Sequence, residues 1–77
     1  GDLQEAAKHL DTAIRLQPGV WDAYNNLGMV LDKAGKYAEA LPFFTQAQVL
    51  APEKDSPYIN MGISLRKMGK NDEAIVI

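Results

Sequence analysis

Cysteine is absent and histidine occurs once. The first absence excludes disulfides and thiolate chemistry and leaves no mark of a redox compartment. Together the two exclude the His/Cys clusters that hold zinc. Asp11, Asp22 and Asp32 lack the spacing of a calcium loop, so no metal and no other cofactor is expected. No apolar run approaches the roughly 18 residues of a transmembrane helix. The opening Gly-Asp-Leu-Gln-Glu is not a signal peptide, and no membrane partner is expected. An excess of positive charge is missing too. The net charge is −2 and the pI about 5.1, so nucleic acid is not an expected partner. Nothing alternates with period two for long, so no strand is predicted.

What is present reads as one small globular domain. The 77 residues are 47% apolar and 23% charged, a balance unlike that of a disordered chain. Five helical segments are marked by their breakers. The first runs from about Asp2 to Gln17, with Leu3, Ala6, Ala7, Leu10, Ala13 and Ile14 at helical spacing. Pro18-Gly19 ends it. The second runs from about Asp22 to Ala34 and is closed by Gly35. The third covers about Tyr37 to Leu50 and stops before Pro52. Pro42 lies near the end of its first turn, where a helix beginning four residues earlier loses one backbone bond and bends mildly. The fourth follows Ser56 as N-cap, with Pro57 at the first helical position, and ends at Gly69. The fifth begins near Asp72. The short connections make consecutive helices antiparallel neighbours. There is no starting Met, and the chain stops in the apolar run Ile75-Val76-Ile77 without a cap. A piece of a longer protein is expected, with possible self-association through its uncapped ends.

A 34-residue echo runs through the whole sequence. Tyr24, Asn26, Gly28, Leu31, Lys33, Gly35 and Lys36 return as Tyr58, Asn60, Gly62, Leu65, Lys67, Gly69 and Lys70. Gly1, Glu5, Ala6, Ala13, Leu16 and Pro18 return as Gly35, Glu39, Ala40, Ala47, Leu50 and Pro52. Glu39 and Ala40 return once more as Glu73 and Ala74. A fixed period of this size is the signature of a stacked array, in which each unit buries its apolar face against its neighbours. Gly28 and Gly62 fall mid-helix, where glycine costs about 1 kcal/mol against alanine. A close approach must compensate, and Ala40 and Ala74, twelve residues on, are the expected small partners.

Tyr24-x-x-Leu27-Gly28-x-x-Leu31, followed by Ala40, Phe44, Ala47 and Pro52, resembles the tetratricopeptide repeat. Tyr24 stands where that family's pattern has Trp, and Leu31 where it has Tyr. The next copy reads Tyr58-x-x-Met61-Gly62-x-x-Leu65, then Ala74. The resemblance covers the chain and implies an all-α, right-handed solenoid of antiparallel helix hairpins. It divides the chain into the second helix of one repeat (1–20), a full repeat (21–54) and a truncated one (55–77).

No enzyme chemistry accompanies the pattern. His9 lies on a charged face between Lys8 and Leu10, without a nucleophile or an orienting carboxylate. The periodic glycines follow no strand, so they do not form a phosphate-binding loop.

The resemblance implies a function in protein–protein interaction. In that family the first helix of each repeat lines a concave groove for peptides. Carried over, the groove positions are Asp22, Asn25, Asn26, Met29, Asp32 and Lys33, then Ser56, Ile59, Asn60, Ile63, Arg66 and Lys67. The ligand residues expected from these are Asn25, Asn26, Met29, Lys33, Ile59, Asn60, Ile63 and Lys67. Asn26 and Asn60, one repeat apart, are expected as adjacent rungs whose amides bond a peptide backbone. The branch of the family that clamps a terminal carboxylate uses Lys and Arg where this chain has Ser56 and Asn60, and Lys and Asn where it has Asn25 and Met29, so that ligand is not implied. The partner is therefore expected to be a protein or peptide segment. Two alternatives stand beside this reading: a spacer or self-associating segment, and a repeat domain attached to an enzyme in a longer chain.

Overall fold

The computed structural model describes residues 2–69. They form four helices: α1 (Asp2–Leu16), α2 (Trp21–Lys33), α3 (Tyr37–Leu50) and α4 (Ser56–Lys67). No strand occurs among the described residues. The expected fifth helix from Asp72, the Gly62–Ala74 contact and the Ile75–Ile77 end all involve residues outside the described ones.

The helices stop where the breakers demand it. Gly35 has φ 83° and Gly69 φ 78°, a backbone region that residues with a Cβ avoid. At the end of α2 the Lys36 N–H donates to the Leu31 carbonyl at 2.8 Å, and the Gly35 N–H to the Asp32 carbonyl at 3.0 Å. Those two bonds make a Schellman cap and satisfy carbonyls that the helix itself leaves open. The start of α4 differs from expectation. Ser56 lies inside the helix, Asp55 occupies the cap position, and no side chain caps the end. The Asp55 backbone is already helical, so its carbonyl accepts the first bond, from the Ile59 N–H at 3.1 Å. Trp21 likewise belongs to α2. Pro42 lies inside α3, which continues past it. The bond it cannot make leaves the Ala38 carbonyl at an exposed residue, where water can take its place.

Successive helices pack as antiparallel neighbours, and α2 also reaches α4. The two outer helices of that trio, α2 and α4, therefore run parallel. The core lies between α2, α3 and α4. Ala23, Leu27, Ala40, Phe44, Ala47 and Ala51 are buried, as are Gly28, Pro57 and Ser64. In contrast, α1 buries no residue completely and, among the described helices, packs on α2 alone.

The mid-helix glycine of α2 does face a close neighbour, and the nearest atoms belong to Phe44. A Cβ on Gly28 would lie 2.5–2.8 Å from three atoms of the Phe44 ring. Ala40 is fully buried, and the ring, one turn further along α3, is what comes closest to Gly28. The larger side chain reaches across the gap that the glycine leaves. Around Gly62, no described atom lies within 4 Å of such a Cβ.

Candidate ligand groove between α2 and α4

The seam between the parallel helices α2 and α4 is polar. Asn60 Nδ2 donates to Asn25 Oδ1 at 3.0 Å. Ser64 Oγ donates to Asp32 Oδ1 at 2.8 Å, and Lys67 Nζ to Asp32 Oδ2 at 3.0 Å. One carboxylate thus holds two partners, each on its own oxygen. Lys67 also lies over the Tyr37 ring, 5.7 Å from its centroid, where the ring face attracts the ammonium. Because the Lys67 side chain is 46% exposed, its ion pair contributes at most about 1 kcal/mol. Ser64 is fully buried, so its charge-assisted bond is the one that fixes the seam.

Along this seam a cleft of about 150 Å³ opens. Met29, Asp32 and Lys33 line it from α2, and Asn60, Ile63 and Lys67 from α4. Phe44 of α3 supplies the remaining wall. Its ring packs against Gly28, which has no side chain to cover it, so an aromatic of another layer reaches the cleft. Two apolar side chains, Met29 and Ile63, stand partly exposed beside it.

Five of the expected ligand residues therefore surround one cleft: Met29, Lys33, Asn60, Ile63 and Lys67. The other three do not. Ile59 is 59% exposed, one turn before Ile63 and outside the lining. Asn26 is half-buried and also outside it. Asn25 was expected on the open groove but is only 4% exposed, turned into the seam with its carbonyl taken by Asn60. Asn60 thus bonds Asn25, 35 residues away, rather than its repeat equivalent Asn26, 34 residues away. Neighbouring helices meet through non-equivalent positions because each side chain leans along its own helix. Sequence reasoning did not give Phe44 to the groove, although a glycine opposite a large aromatic is a signal for it.

Among the described residues no group of three His, Cys, Asp or Glu could hold a metal ion. No described helix is long and apolar enough to cross a membrane.

A family model described as "Tetratricopeptide repeat" matches residues 1–55. Two curated proteins of similar sequence are both called "Cell division cycle protein 16 homolog", one from Homo sapiens and one from Mus musculus. Each is 45% identical over 51 residues, which is 66% of this chain and 8% of the relative. The matched segment thus spans a small part of either relative's length.

Proposed function

The chain belongs to the tetratricopeptide repeat family, whose repeats generally mediate protein–protein interaction, and from that premise we propose that it binds an extended partner segment in the α2–α4 cleft. The observation that carries this reading is the cleft itself. Its volume of about 150 Å³ and its apolar flanks, Met29, Ile63 and Phe44, suit one apolar ligand side chain. Seating such a side chain fully contributes about 1.5–3 kcal/mol. Asn60, Lys33 and Lys67 at its border supply polar contacts that orient the segment. Binding by strand addition is not available here, since the described residues offer no sheet edge.

The test is selection of peptides from a random display library on the 77-residue chain, followed by calorimetric titration of the peptides recovered. Ile63→Asp places a charge on the partly exposed cleft wall. It should abolish binding while leaving the helical circular dichroism unchanged. Peptides that bind wild type and Ile63→Asp equally would show that the site lies elsewhere.

A further inference from the structure

We propose that Asn25 is a positioning residue that turns the Asn60 carbonyl oxygen toward the ligand, so that the cleft recognises a backbone N–H at that point. This rests on the peptide-binding reading of the cleft. An asparagine amide free to rotate offers either its NH2 or its carbonyl to a ligand, because the terminal torsion is broad. Asn60 is not free. Its Nδ2 donates to Asn25 Oδ1 at 3.0 Å. Asn25 is itself 4% exposed and has little room to follow a rotating partner. The nitrogen end of Asn60 is thereby drawn to the seam.

The other end of the amide has no such partner. Among the described residues Asn60 Oδ1 accepts no hydrogen bond, and no buried side-chain oxygen is left unsatisfied. The oxygen therefore keeps contact with solvent, and Asn60 lines the cleft. The groups around it sharpen the choice. Lys33 and Lys67 are donors only. Asp32 is the other side-chain carboxylate on the lining, and each of its oxygens already accepts one bond, from Ser64 and from Lys67. A ligand N–H entering beside the apolar anchor thus finds in Asn60 Oδ1 an acceptor that no described donor uses, whereas Asp32 is already engaged by two. Asn25 does not line the cleft, so its influence on a ligand passes through Asn60.

The experiment uses a peptide selected by display on the whole chain and an N-methyl scan along it. In wild type, one N-methyl position next to the apolar anchor should weaken binding at least tenfold, and its neighbours should not. Asn25→Asp keeps an oxygen for the Asn60 N–H and should preserve both affinity and that position dependence. Asn25→Leu releases the amide and should flatten the scan while the helical spectrum persists. A ligand-free reading runs in parallel: the two side-chain amide protons of Asn60 should be well separated by NMR in wild type and Asn25→Asp, and converge in Asn25→Leu. An N-methyl scan of wild type with no sensitive position beside the anchor overturns the proposal, and this arm needs no variant to fold. Matching scans for Asn25→Leu and Asn25→Asp overturn it too. Recovery of no peptide from the library sinks the groove reading, and this inference with it, whereas a peptide that binds at Ile63 but ignores N-methylation sinks this inference alone.

Discussion

Asn25 and Asn60 are bonded to each other at 3.0 Å, one place out of the 34-residue register that relates their two repeats. Asn26, the true equivalent of Asn60, takes no part in that bond. Removing either bonded amide leaves its partner short of a group at a largely dry seam, whereas Asn26 is half-buried and outside it. Asn25→Ala and Asn60→Ala should each lower stability, and a double-mutant cycle in urea should return a coupling of about 1 kcal/mol. Asn26→Ala should stay within about 0.5 kcal/mol of wild type. A cycle that couples Asn26 to Asn60 instead would invert this account of the seam.

Ser64 and Lys67 share Asp32 but differ in burial, and that difference predicts unequal effects. Ser64→Ala strips a fully buried donor from a carboxylate that is itself little exposed. It should cost about 1–3 kcal/mol. Lys67→Met keeps an unbranched apolar stem and removes a half-exposed charge, so the loss should be below about 1 kcal/mol. Thermal or urea melts of the two variants would decide it, and a larger loss for Lys67→Met would contradict the ranking.

Gly28→Ala should destabilise the protein although alanine is the better helix former. Propensity favours the change by about 1 kcal/mol. Against it, the new Cβ would lie 2.5 Å from the Phe44 ring, and overpacking of this kind costs about 1–3 kcal/mol. In a Phe44→Leu background the obstruction is smaller, so the same Gly28→Ala change should become neutral or stabilising. If its effect is identical in both backgrounds, the ring is not what requires the glycine.

Gly35 has φ 83° and nothing near its missing Cβ. Gly35→Ala is therefore a purely backbone perturbation and should cost about 1–2 kcal/mol. Gly35→Asn, which tolerates this region better, should cost less. Equal losses from the two would point to a cause other than the left-handed backbone.

The helix pattern was legible because local chemistry sets it: Pro18-Gly19, Gly35 and Gly69 punctuate the chain where the structure turns. The repeat also showed that Gly28 needed a close neighbour. It could not show that Phe44 comes nearest, because reach depends on side-chain size. The seam was the least legible part. A repeat aligns like with like, whereas two adjacent parallel helices touch through unlike positions, so Asn26 stood out in the sequence and Asn25 makes the contact. Met29, Lys33, Asn60, Ile63 and Lys67 were placed on the groove by the resemblance to the repeat family, whose helix positions carry over onto this sequence. Asp32 as the holder of Ser64 and Lys67, and Phe44 as a wall of the cleft, required the packing.

All three side-chain bonds of the seam run one way, from donors on α4 to acceptors on α2. The two helices are consequently not interchangeable, and the order of the modules is written into their junction. Permuting them, so that the repeat of α4 preceded that of α2, would bring Ile59 against Asn26 by the same register, and Arg66 against Val30 and Lys33. An amide would lose its partner, and two cations would meet where a carboxylate had joined two donors. Shuffled or spliced versions of this array should therefore fail at the joint even when every module is intact, because the modules can be read in one direction only.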